Sequence, residues 1–168
     1  MKITVGILTV SDRSARGLRT DASGPALKTL IEQKGWRVAT CALVPDEPRD
    51  IQRVLLEWCD QKRLSLVLTT GGTGISPRDV TPEATRSLLD KELPGICELM
   101  RREGAKQTPT AVLSRAVAGV RTRSLVINLP GNPQGAGESL KSIWEIIPHA
   151  IAITRGEDHE AAGIKKRT

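Results

Sequence analysis

The 168 residues carry 25 Lys and Arg against 19 Asp and Glu, a formal net charge of +6, with three Trp and no Phe or Tyr. This length suits one compact domain with a sizeable core, no apolar run is long enough to span a bilayer, and the N-terminus does not read as a signal peptide. With so few aromatic rings the chain lacks a base-stacking platform, so the positive balance is assigned to steering of an anionic small molecule rather than to nucleic acid.

Ile3 to Val10 is a near-continuous apolar run of strand length. A helix follows, capped at Ser23 or Gly24, with Pro25 in its first turn, Leu27, Leu30 and Ile31 on one face, and Gly35 at its end. Trp36 to Val44 reads as a second strand. Pro48 then opens a helix whose apolar residues Ile51, Val54, Leu55, Trp58 and Cys59 keep a helical period. The strand Leu64–Leu68 and a helix from Thr81, with Thr81 as N-cap and Pro82 at N1, come next.

Further on, Pro94 to Glu103 reads as a short helix with Ile96, Leu99 and Met100 on one side, and Ala111 to Val120 fits helix or strand. Ser124 to Leu129 is a strand. Glu138 to Thr154 reads as one long helix along Leu140, Ile143, Trp144, Ile147 and Ile151, kinked or divided by Pro148. Trp58 and Trp144 fall on apolar stripes and are assigned to the core. Residues 1–155 are expected to form a single domain, and 156–168, with His159 and Lys165-Lys166-Arg167, a loose polar tail. Cys41, Cys59 and Cys97 are odd in number and never spaced Cys-x-x-Cys. Cys41 and Cys59 sit in apolar patterns, which predicts buried reduced thiols and a cytoplasmic setting.

Strands alternating with helices predict βαβ units, a mostly parallel sheet, and helices on both faces. Ligands of such sheets bind beyond the carboxyl ends of the strands. Four polar clusters stand at such ends: Ser11-Asp12-Arg13, Pro45-Asp46-Glu47, Thr69 to Asp79, and Pro130-Gly131-Asn132-Pro133. Each has a bland reading. The first could be a turn with a local ion pair, Asp46 and Glu47 could cap the helix at Pro48, the last could be turn chemistry alone, and Arg78 could pair with Asp79 on the surface. Four converging loops argue for a site more strongly than any one of them.

The third cluster is the richest. Gly71, Gly72 and Gly74 let backbone N–H groups approach a ligand closely, and a helix start lies just beyond, a combination that suits phosphate. It is not a P-loop, because Ile75-Ser76 follows Gly74 where Lys and Ser or Thr are required, and Pro77 stands where the dinucleotide fingerprint needs its third glycine. No His or Cys cluster exists, so the only metal the sequence supports is a hard cation held by carboxylates and phosphate oxygens.

Thr69-Thr70-Gly71-Gly72-Thr73-Gly74, Arg78-Asp79-Val80-Thr81-Pro82-Glu83-Ala84-Thr85 and Asn128-Leu129-Pro130-Gly131-Asn132-Pro133 together closely resemble the molybdopterin adenylyltransferase family of molybdenum cofactor biosynthesis, whose domain recurs in gephyrin and its plant counterpart. The resemblance runs from Ile3 to about Arg155. It implies a three-layer α/β fold, a homotrimer, and the reaction of molybdopterin with Mg-ATP to give adenylylated molybdopterin and pyrophosphate. The family's acids carry over onto Asp46 and Asp79 and its Leu-Ser-Arg serine onto Ser114, all three as catalytic residues, with the two acids also as Mg²⁺ ligands. Its phosphate, pterin and nucleotide contacts carry over onto Gly71, Gly72, Thr73, Gly74, Ser76, Pro130, Gly131, Asn132 and Pro133, with Ser11 and Asp12 matching as well. The molybdenum-insertion protein of the same pathway is the implied partner. The competing reading is a molybdopterin-binding or assembly module of the same fold without turnover.

Overall fold

The computed structural model describes residues 2–157; the tail carrying His159 and Lys165-Lys166-Arg167 lies outside the described residues. Six strands form one sheet in the order β2-β1-β3-β6-β5-β4. They are β1 (Thr4–Val10), β2 (Arg37–Val44), β3 (Leu66–Thr70), β4 (Lys91–Glu92), β5 (Ala118–Arg121) and β6 (Ser124–Leu129). The pairs β1–β2, β1–β3 and β3–β6 are parallel, whereas β5–β6 and β4–β5 are antiparallel. The expected three-layer, mostly parallel α/β sheet is present.

Central strands are the continuous apolar runs, since both of their faces are covered. Every residue of β3 and β6 is buried. Val5 and Ile7, Leu66 and Leu68, and Leu125 and Ile127 face α2 (Ser23–Gln33), α5 (Pro94–Ala105), α6 (Pro133–Ser142) and α7 (Ile146–Thr154). Leu8, Val10, Val67 and Val126 face α3 (Pro48–Leu56) and α4 (Thr81–Arg86). Gly6 lacks a side chain for a packing reason: a Cβ there would stand 2.5 Å from the ring of the fully buried Trp58.

Several local expectations shift. A short helix, α1 (Asp12–Ala15), follows β1 directly, with the Ser11 hydroxyl accepting from Ser14 N. The third strand extends to Thr70 because Thr69 and Thr70 satisfy their hydroxyls inside the sheet, from Asn128 Nδ2 at 2.9 Å and toward the Pro130 carbonyl at 2.7 Å. Thr81 is not the N-cap. Val80 occupies that position, and the Thr81 hydroxyl donates to the Gly71 carbonyl at 2.9 Å instead. The ambiguous segment divides into a 3₁₀ turn (Pro109–Leu113) and β5.

The long C-terminal helix is two helices. Asn132 caps α6 at Pro133, and the break falls at residues 143–145, ahead of Pro148. Leu140, Ile143, Ile147 and Ile151 are all buried across that break, so the apolar period continues although the helix does not. Trp58 is a core residue as expected, whereas Trp144 is only partly buried and stacks on Trp36 at 5.5 Å. Cys59 and Cys97 are buried, but Cys41 is exposed, because β2 is an edge strand with one open face. Among the described residues, no helix is long and apolar enough to cross a membrane.

Candidate active site

The carboxyl ends of β1, β2, β3 and β6 bring the four polar clusters to one rim. Arg78 binds the first three together. Its Nε donates to Asp12 Oδ2 at 2.9 Å, and its Nη2 to Asp12 Oδ1 at 3.2 Å and to Glu47 Oε1 at 2.7 Å. It does not pair with Asp79. Asp12 and Asp46 then exchange bonds: Asp12 N donates to Asp46 Oδ2 at 2.7 Å, and Asp46 N donates to Asp12 Oδ1 at 3.0 Å. Asp46 is therefore no simple cap of α3. At its N-cap position, Glu47 makes no side-chain capping bond either.

The glycine turn needs its glycines. Gly71 has φ +104°, and a Cβ there would lie 2.2 Å from the Val10 carbonyl. Gly72 has φ +62°, and its Cβ would meet Thr81 Oγ1 at 2.4 Å and Asp46 Oδ1 at 2.8 Å. These contacts bring the turn backbone against the end of β1 and the Asp46 carboxylate. Gly131 closes the other side, where a Cβ would lie 3.1 Å from Gly71 Cα.

Two chambers meet at this turn. The first, about 400 Å³, is lined by Ser11, Asp12, Asp46, Gly71, Ser76 and Pro133, among others. The second, about 430 Å³, is lined by Thr73, Gly74, Ser114 and Pro130 and by apolar side chains that include Met100 and Leu113. Gly72, Asp79, Gly131 and Asn132 line both. All fourteen residues singled out from the sequence thus border this cleft, although Asp46 and Ser114 lie in different chambers and Asp79 stands at their junction.

The charge inside the cleft opposes that of the whole chain. Four carboxylates (Asp12, Asp21, Asp46 and Asp79) face three guanidinium groups (Arg13, Arg19 and Arg78) in the first chamber. In the second, Asp79 and Glu138 face Arg101. The net positive charge of the sequence is therefore not located where an anion would bind, and steering by it acts only at longer range. Burial raises the Asp46 carboxyl above its ordinary pKa; the Asp12 N–H opposes this, while the Asp12 and Asp79 charges add to it. Arg78 holds the Asp12 carboxyl below the ordinary carboxylate value, and burial only partly offsets that.

The carboxylates of Asp46 and Asp79 each receive a backbone N–H, from Asp12 and from Ser76 at 2.8 Å, and neither forms an ion pair with a side chain among the described residues. Two neighbouring acids left without a cation are a donor set that fits a hard divalent ion. The described residues contain no group of three His, Cys, Asp or Glu able to hold a metal, so the remaining ligands must come from elsewhere, such as a polyphosphate.

Two residues that hold the walls of the cleft were not found from sequence. Arg115 fixes the loop between Gly74 and Asp79: its Nε donates to the Gly74 carbonyl at 2.7 Å, its Nη2 to the Asp79 carbonyl at 2.7 Å, and its Nη1 pairs with Glu83. Its targets are carbonyls 41 and 36 positions away, which leave no trace in local sequence. Asp21, one residue ahead of the α2 N-cap position at Ala22, accepts from Ser23 N and Gly24 N and from Thr9 Oγ1 at 2.7 Å.

Residues 6–149 match a family described as a probable molybdopterin binding domain. The chain is 41% identical over 156 residues to the molybdopterin adenylyltransferase of Helicobacter pylori strain J99, covering 92% of this chain and 89% of that one. It is 43% identical over 157 residues to the molybdenum cofactor synthesis protein cinnamon of Drosophila melanogaster, covering 93% of this chain but 26% of that longer protein. The crystal structure of the molybdopterin biosynthesis enzyme MoaB from Thermus thermophilus superposes with a TM-score of 0.87 at 52% identity, covering 92% of this chain and 98% of that one. In sequence and in fold, the chain belongs to the molybdopterin-binding domain family of molybdenum cofactor biosynthesis.

Proposed function

We propose that this protein is a molybdopterin adenylyltransferase, which joins AMP from ATP to molybdopterin and releases pyrophosphate. The observation that carries the reading is the pair of chambers meeting at Gly72 and Asp79, with relatives of that name aligned along nearly the whole chain. Two substrates that react through their phosphates need two adjoining compartments with the phosphate-binding turn at the seam. The glycine turn and the Asn132-capped start of α6 supply backbone N–H groups there.

In the step itself, a terminal phosphate oxygen of molybdopterin forms a bond to the α-phosphorus of ATP, and the bond from that phosphorus to the bridging oxygen of the leaving pyrophosphate breaks. The attacking phosphate is already ionised, so no side chain has to remove a proton. What the chain contributes is alignment of two anions and a fixed polar surround. Asp46 and Asp79 would hold Mg²⁺, which offsets phosphate repulsion and the carboxylate excess when bound. Ser114, which lines the second chamber as Asp79 does, is assigned to substrate positioning.

The same proposal includes residues 1–155 as one catalytic domain, a cytoplasmic setting in keeping with three free thiols, a homotrimer, and the molybdenum-insertion protein as downstream partner. For the trimer contact, Ile96 and Met100 of α5 are not available, because they are buried within the chain. The exposed apolar residues Ile146 and Ile153 remain on the late helix. The test follows the label: α-³²P from ATP is expected in a molybdopterin product and γ-³²P in pyrophosphate. Release of γ-label as inorganic phosphate would show a different reaction.

A further inference from the structure

We propose that Arg78 is a positioning residue, which acts through Asp12 to hold Asp46 ready for a nucleotide-bound divalent cation. The inference rests on the functional reading above and adds a role for a residue that touches neither proposed metal-binding carboxylate. Among the described residues, Arg78 is the only side chain from outside the β1 and β2 loops that hydrogen-bonds to both, and it spends its donors on Asp12 and Glu47. Asp12 in turn shares its carboxylate between Arg78 and the backbone exchange with Asp46. Asp46 Oδ2 is thereby fixed on Asp12 N, and Oδ1 is left beside Gly72 on the chamber wall.

The pairing also keeps a cation away from where one is needed later. An arginine next to Asp79 in sequence could collapse onto Asp79 or Asp46 and occupy the cation's place. Asp12 and Glu47 hold its planar fork elsewhere, a geometry that the point charge of a lysine does not reproduce. Single exposed ion pairs contribute little to stability. This network joins three loops, and its effect is therefore expected in site geometry rather than in global stability.

Arg78→Gln and Arg78→Lys separate the alternatives. The probe is the α,β-methylene analogue of ATP, with its affinity measured by calorimetry once with Mn²⁺ and once in EDTA. Mn²⁺ bound in the complex is counted by electron paramagnetic resonance. If Arg78 only contributes positive charge, Arg78→Gln strengthens Mn²⁺ binding. If Arg78 grips phosphate directly, both affinities fall together. The positioning role predicts that the gain in affinity from Mn²⁺ drops about tenfold in both variants, the scale of losses on removing groups that orient metal ligands, with the metal-free affinity within twofold of wild type. A Lys variant equal to wild type, equal losses with and without metal, or no loss at all would each overturn the assignment. A wild-type protein that does not bind the analogue at all would refute the functional reading itself.

Discussion

Gly72→Ala should cost more stability than the same change at another left-handed glycine, because of what the new methyl would meet. Gly35 offers the comparison, with φ +80° and nothing within 4 Å of an added Cβ. There the cost is the left-handed backbone alone, about 1–2 kcal/mol. At Gly72 the same backbone cost applies, and the Cβ would also lie 2.4 Å from Thr81 Oγ1 and 2.8 Å from Asp46 Oδ1. Moving Thr81 breaks its buried bond to the Gly71 carbonyl, and a buried polar group left unsatisfied adds about 1–3 kcal/mol. The expected total for Gly72→Ala is about 2–5 kcal/mol, the sum of those two costs, read from urea denaturation of the two variants side by side. Gly35→Ala should keep full adenylyl transfer, whereas Gly72→Ala should lose at least about tenfold, since a small displacement at a reacting centre is costly. Equal destabilisation of the two variants would refute the reasoning.

Asp46→Asn and Asp79→Asn should each reduce adenylyl transfer by roughly a hundredfold or more while the protein still binds molybdopterin; the double variant should be little worse if both act through one cation, and near-normal turnover in both singles would move the chemistry elsewhere. Asp46→Asn should also raise Tm at pH 7. Its carboxyl holds the proton more tightly folded than unfolded, so ionisation costs stability as pH rises through that raised value. The gain should shrink as pH falls from that raised value toward the ordinary carboxylate range and vanish only below the latter, where both states are protonated, and an unchanged Tm at pH 7 would contradict this. Of the three cysteines, only Cys41 should react with a thiol reagent in the native state, since Cys59 and Cys97 are buried with thiols pushed up by burial to about 11; three equivalents before unfolding would show that the core opens.

The architecture was legible because β1, β3 and β6 are mostly apolar runs separated by helical periods, the pattern expected of a parallel sheet covered on both faces. The site was legible because chain topology places every strand-end loop on one rim. What the sequence concealed depends on distance or on covering. Arg78 sits beside Asp79 in the chain, yet its partners are 66 and 31 positions away. The break between α6 and α7 leaves no mark, because its residues keep the apolar spacing of one helix. Cys41 looked buried because the sequence does not say which strand lies at the sheet edge. The acidic cleft could not be inferred from net charge, which sums over a surface the ligand never touches.

The central claim is tested most directly by mixing the purified protein with ATP and Mg²⁺, adding or omitting molybdopterin, and following ATP and products by mass spectrometry. ATP is expected to be consumed only when both Mg²⁺ and molybdopterin are present, yielding adenylylated molybdopterin and pyrophosphate in equal amounts. Tight binding of molybdopterin with no loss of ATP would contradict the account and make the protein a binding or assembly module of this family.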